Sequence, residues 1–189
     1  VNDRLTEGFA RQLKASKTGL IETYPGETWP PDVAAVIGSI GLHDRVTLLL
    51  EGRSQPLPEG EGRRDWLARW STQFAACALD ETTGLVVQRV ASGACTRKDE
   101  PRGSGSAVSS YFIGFADPKL AERIEMSFRN ALGRGMLGFA AMREYPLGSD
   151  STGDSNSGPL VLGFSVGATG FGVGAAKMTG DRDGFVTLV

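Results

Sequence analysis

Two acidic loops hold the side chains best suited to acid/base chemistry. One reads Glu22-Thr23-Tyr24-Pro25-Gly26-Glu27-Thr28-Trp29-Pro30-Pro31-Asp32. The other starts at Glu144-Tyr145-Pro146 and continues through Asp150 to Asp154. Carboxyls held roughly 5 to 9 Å apart across a cleft suit paired general acid and base work, as in glycoside cleavage. Glu27, Asp32 and Asp154 are therefore the candidate catalytic residues. Tyr24, Trp29 and Tyr145, with Asp150 beside them, are candidates for substrate binding, because aromatic faces stack on sugars or wall an apolar ligand. A structural role competes at Asp32, which stands just before Val33-Ala34-Ala35-Val36 and would cap a helix there; Asp154 and Ser157 would do the same for theirs.

Other chemistries find less support. The single histidine, His43, excludes a multi-histidine metal site within this chain, and its place late in a helix suits a structural role at the negative end of the dipole. The run from Asp150 to Gly158 alternates oxygen ligands but lacks the closing glutamate of a calcium loop. Gly172-Val173-Gly174 would need a glycine at position 177 for a dinucleotide fingerprint, and that position is Lys177. No metal or cofactor is expected. Lys and Arg number 20 against 22 Asp and Glu, for a net charge of -2, so no overall positive field draws nucleic acid. Cys77 and Cys95 are 18 residues apart; they bridge in an oxidising compartment or stay reduced, and the sequence leaves both open. Cys95 has no histidine near it in sequence to activate it as a nucleophile.

Glycine and proline punctuation divides the chain into the elements that must position these residues. Helices are expected over 5–15, 32–45, 63–79, 103–116, 118–132 and 159–178, with extended pieces at 83–90 and 142–146. Leu5, Phe9 and Leu13 recur every four residues in the first helix. Trp66, Leu67, Trp70, Phe74, Cys77 and Ala78 share a face of the third. Asp117-Pro118 is an N-cap followed by proline at the first helical position. Thr18-Gly19-Leu20 recurs as Thr83-Gly84-Leu85, and Tyr24-Pro25-Gly26 is echoed by Tyr145-Pro146-Leu147-Gly148. Three helices are small and nearly uncharged, carrying Ala34, Gly38 and Gly41, then Gly103, Ala107, Ser110 and Gly114, then Gly163, Gly167, Gly170 and Gly174. Glycine inside a helix costs about 0.8–1 kcal/mol relative to alanine, so these stripes call for close backbone packing in return. Residues 155–176 are uncharged, but their glycines make a weak membrane-insertion signal.

Large-faced, charged helices thus alternate with small-faced, uncharged ones, as outer and inner layers would. The expected fold is mainly α, a partial α/α toroid of about three helical hairpins with short β segments between them, forming one domain over 1–189. The stretches TGLIETYPGETWPPDVAAVIGSIGLHDR and REYPLGSDSTGDSNSGPLVLGFSVGATGFGVGAA resemble bacterial proteins related to the linalool dehydratase/isomerase family, (α/α)6 barrels. That resemblance implies a missing N-terminal half, a cell-envelope or periplasmic setting, and metal-independent acid/base chemistry. The functional expectation is an envelope enzyme of lyase or hydrolase type. It would act at the toroid mouth on a small hydroxylated or glycan ligand. The alternative is a non-catalytic binding module using the same rim. Half a toroid leaves two apolar edges, so self-association or pairing with the missing half is expected.

Overall fold

The computed structural model describes residues 2–52, 65–136, 139–149 and 151–189. Among them the chain is mainly helical. Seven helices run α1 (Asn2–Ala15), α2 (Pro30–Leu50), α3 (Leu67–Ala78), α4 (Gly103–Ile113), α5 (Pro118–Leu132), α6 (Val166–Thr179) and α7 (Arg182–Leu188). Six short strands form three antiparallel pairs. These are β1 (Glu27–Thr28) with β2 (Val90–Ala91), β3 (Gly133–Met136) with β4 (Phe139–Met142), and β5 (Leu160–Val161) with β6 (Phe164–Ser165).

Helix α4 lies at the centre, in contact with α2 on one side, α6 on another, and α5. Its own side chains are small. Ser104, Ser106, Ala107, Ser109 and Ser110 are all buried; Ser106 donates to the Arg102 carbonyl and accepts from the Val86 N–H, and Ser110 donates to the Ala121 carbonyl. The expected close approach is present between α2 and α4. A Cβ built at Gly38 would lie 2.5 Å from the Phe112 carbonyl oxygen, and one at Gly41 would lie 2.6 Å from the Phe115 carbonyl carbon. No side chain fits in either place.

The charged helices pack around this middle with larger side chains. In α3, Trp70, Phe74, Cys77 and Ala78 face inward as their spacing predicts. They share a core with Val33, Ile37 and Ile40 of α2 and with Leu120 and Ile124 of α5. The Trp70 indole N–H donates to the Gly19 carbonyl at 2.8 Å. Arg63 and Arg64, placed in this helix by its pattern, lie outside the described residues. Helix α5 starts as its sequence signals, with the Asp117 carboxylate accepting from the N–H groups of Lys119 and Leu120.

The repeated tripeptide has a common conformation. Gly19 (φ 71°) and Gly84 (φ 70°) both take the left-handed turn that favours glycine. Each abuts an outer helix, Gly19 against Gln73 and Phe74 of α3 and Gly84 against Ser127 of α5. Cys77 and Cys95 form a disulfide that ties the end of α3 to the loop before α4.

Several expectations are corrected. Helix α6 does not begin near 159. Leu162 (φ 55°) and Gly163 (φ 83°) make a tight turn between β5 and β6, a geometry suited to two-residue hairpins. Gly163 is therefore outside the helix, and the buried face of α6 is Ala168, Gly172, Ala175 and Ala176. Gly170 has nothing within 4 Å of a built Cβ, so it buys no close contact. In α1 the buried residues are Thr6, Ala10 and Leu13. Leu5 and Phe9 are exposed, because the core that α1 packs against, with α2 as its main helical neighbour, covers its other side. The expected strand over 83–90 is reduced to isolated bridges, Leu79 with Val86 and Val87 with Pro101, and to Val90 at the start of β2. The β3–β4 hairpin and α7 had no clear sequence signal. Of the described helices, α2 alone has the length and mean hydropathy to cross a membrane. That is weak evidence for a span, since α2 packs on α4 through Gly38 and Gly41.

Gly38→Ala or Gly41→Ala is expected to destabilise the fold by about 1–3 kcal/mol through overpacking, read from denaturant unfolding midpoints. Gly170→Ala, with open space around it, should be neutral or stabilising by up to about 1 kcal/mol. Equal losses at all three positions would contradict the α2–α4 contact. Reduction of the disulfide should cost about 2–4 kcal/mol, seen as a lower melting temperature with reductant in the wild type and no reductant effect in a Cys77→Ala/Cys95→Ala variant.

Candidate functional site

A cleft of about 260 Å³ opens where the first turns of α2 and α4 meet. Trp29, Pro31 and Asp32 line it from α2 and the residue before it; Ser104, Gly105 and Val108 line it from α4. Gln88, Ser155, Asn156 and Phe171 of α6 complete the wall. The volume falls just below the usual range for drug-sized ligands, which begins near 300 Å³, so the space suits something small. Two larger depressions lie on an open surface, one of about 690 Å³ along α1 and one of about 490 Å³ between the start of α1 and the second half of α2. They contain none of the expected site residues.

The cleft is built by helix starts. Pro30 and Pro31 occupy the first two positions of α2, where a missing N–H costs nothing. The N-cap is Trp29, not Asp32, and no side chain caps this helix. Asp32 is thus released from the capping role its sequence position suggested. It has no hydrogen-bond or ion-pair partner among the described residues. Asp32 is an exposed residue at the cleft edge, and partial desolvation of its carboxyl raises its pKa above the ordinary aspartate value.

The start of α4 is capped from a distance. The Gly103 N–H donates to the Glu144 backbone carbonyl at 2.7 Å, and the Ser104 N–H and hydroxyl donate to the two Glu144 carboxylate oxygens at 3.2 and 2.6 Å. Glu144 is fully buried. Burial pushes its carboxyl up, against the hydrogen bonds from Ser104 and Ser165 and the nearby Arg102 charge. It is a structural cap behind the cleft wall rather than a rim residue.

The remaining expected site residues are only partly brought together. Glu27 sits on β1 and pairs with Arg89 at 2.7 Å. Arg89 also meets Asp99 at 3.2 Å, Asp99 reaches Arg102 at 4.0 Å, and Arg102 pairs with Asp154. Glu27 and Asp154 are therefore the two ends of one ion-pair chain along the rim. Desolvation raises the pKa of Asp154, but the N–H groups of Ser157 and Asn156 and the Arg102 charge outweigh it and leave the group below its ordinary value. It makes an Asx turn rather than a helix cap; Ser165 caps α6 by accepting from the Ala168 N–H. Tyr24 is exposed and meets Trp29 edge-on at 5.9 Å. Tyr145 is buried under Arg102, whose guanidinium lies 5.7 Å from the ring centre, and its hydroxyl donates to the Thr152 carbonyl. It does not line the cleft. Asp150 lies outside the described residues.

Arg89, Asp99, Arg102 and Gln88 were missed by the sequence reading. Their loop, between β-like pieces, has charge but no pattern; only the long separation in chain of their partners reveals them. Among the described residues no group of three or more His, Cys, Asp or Glu side chains converges as metal donors would. No known family model matches the chain, and no curated protein matches it in sequence.

Glu144 gives a pH test. A carboxyl that binds its proton more tightly in the folded state contributes stability while protonated. That contribution is complete below the ordinary glutamate value of 4.5 and is lost as pH rises through the higher folded value. Glu144→Gln removes this titration. Its melting temperature relative to wild type is expected to rise between about pH 4 and pH 7, measured by thermal denaturation; parallel curves would contradict the burial of this group.

Proposed function

We propose that the cleft binds a small hydroxylated or glycan ligand and that Asp32 is its acid/base residue. The single observation carrying this reading is an unpartnered carboxyl at a cleft wall whose desolvation raises its affinity for a proton. In its protonated form Asp32 gives its proton to a leaving hydroxyl as the carbon–oxygen bond breaks, releasing water. The resulting carboxylate then takes a proton from the neighbouring carbon, leaving a double bond and restoring the acid. This lyase-type sequence needs one free carboxyl. Cleavage with paired carboxylates has less support, since Glu27 and Asp154 are each held by an arginine. Trp29, with Tyr24 against its edge, would wall the ligand.

The row α2–α4–α6, flanked by α3 and α5, supports placing the cleft at the mouth of a partial α/α toroid. The resemblance to the linalool dehydratase/isomerase family agrees with both parts of the proposal, and a periplasmic or envelope setting agrees with the Cys77–Cys95 disulfide. A second reading, a binding module without turnover, is favoured by the same two ion pairs, which leave a rim built for shape rather than for proton traffic.

Asp32→Asn separates them. Small unsaturated alcohols and 4-nitrophenyl glycosides, followed by NMR and absorbance, are the substrates to try. The enzyme reading expects turnover by the wild type and a loss of about 10²–10⁴-fold in the variant, with unfolding midpoint unchanged or raised. Full turnover in the variant would overturn the role of Asp32. Wild-type binding without product from any of these compounds would favour the module.

A further inference from the structure

We propose that Gln88 sets the ligand specificity of this cleft, by offering its amide carbonyl to a hydroxyl or amide N–H of a neutral ligand. The proposal deepens the cleft reading above and rests on it. Gln88 is 2 % exposed, and its Oε1 atom has no hydrogen-bond partner among the described residues. A buried amide oxygen left unpaired is costly, and such groups are normally satisfied by protein or water. Here the side chain lines the cleft, where a ligand donor would satisfy it.

The floor of the cleft is shaped around that atom. A Cβ built on Gly105 would collide with Gln88 Oε1 and lie 3.2 Å from Pro31 Cγ. Glycine is thus required on α4 for the amide to stand where it does, between the starts of two helices. The indole N–H of Trp29, which also lines the cleft, is likewise buried without a partner among the described residues. Each of the two residues thus keeps one unpaired polar atom just beneath the cleft wall, an acceptor in Gln88 and a donor in Trp29. A hydroxyl group matches both, since it donates and accepts. A carboxylate or phosphate group offers only acceptors and leaves Gln88 unpaired. These features together select a neutral polyol or sugar, N-acylated or not, against an anionic one.

The test uses the full chain, labelled with nitrogen-15, and three probes: myo-inositol, N-acetylglucosamine and glucuronate. Side-chain resonances of the Gln88 amide and the Trp29 indole report on the cleft. The expected result is a shift of both with at least one neutral probe and weaker binding of glucuronate. Gln88→Leu should weaken the neutral probe by about tenfold. It should also keep or raise the melting temperature, because a shape-matched apolar group no longer buries an unpaired oxygen. A lower melting temperature in Gln88→Leu would mean that the amide is structural, and would overturn the proposal. Gly105→Ala, which fills the floor, should also weaken the probe. If Trp29 shifts with a probe but Gln88→Leu binds it equally well, the specificity role fails while the cleft reading stands. If no probe shifts Trp29 at millimolar concentration, the cleft reading and this inference fail together.

Discussion

The structure depends on the absence of side chains where α2 meets α4. Gly38 and Gly41 let the α2 backbone rest on the carbonyls of Phe112 and Phe115. With even a methyl group there, the two helices would stand further apart. Their separation fixes the distance between their first turns, and those first turns are the walls of the cleft. The glycines cost helix stability locally. The compensation is dispersion contact along the helices and the cleft formed between their first turns.

The rest of the molecule maintains that arrangement from outside. Trp70, Phe74, Ile124 and their neighbours fill the space behind α2 and α4 with large side chains. The turns at Gly19 and Gly84 seat the connecting loops on α3 and α5 in the same way. Glu144 closes the start of α4 without belonging to that helix. The rim charges run in series from Glu27 to Asp154, so the two acidic loops singled out by sequence are linked by Arg89, Asp99 and Arg102 rather than facing each other as a free pair. Exposed ion pairs of this kind add little stability; their effect is to hold loops in register and to withdraw two carboxyls from chemistry.

Much of the helical layout was legible from local signals. Asp117-Pro118 gave the start of α5, and the aromatic face of α3 gave its buried side, because capping and amphipathic spacing act within a few residues. The small-residue faces of α2 and α4 were legible for a related reason: glycine in a helix needs an explanation, and close packing is one. The same logic misled in α6, where an uncharged run hid the Leu162-Gly163 turn and Gly170 faces open space. At the cleft, Asp32 and Trp29 were found by type and spacing. Gln88 and the arginines were not, since an amide left without a partner, or an arginine paired with a carboxylate 52 or 62 residues away, leaves no mark on neighbouring sequence. The reading of Asp32 as a cap went wrong, and the pairing of Glu27 with Arg89 went unseen, for the same reason: both turn on where other segments end up.

The disulfide has a topological effect on the cleft. Gln88 and Arg89 lie within the covalent ring that Cys77 and Cys95 close. A peptide bond cut anywhere inside that ring would leave both halves attached to α3 and α4, each still anchored at its end. A nicked molecule would migrate at full mass until reductant released the pieces. The segment that carries the cleft amide is thus guarded against loss by proteolysis in the surroundings where such a crosslink persists.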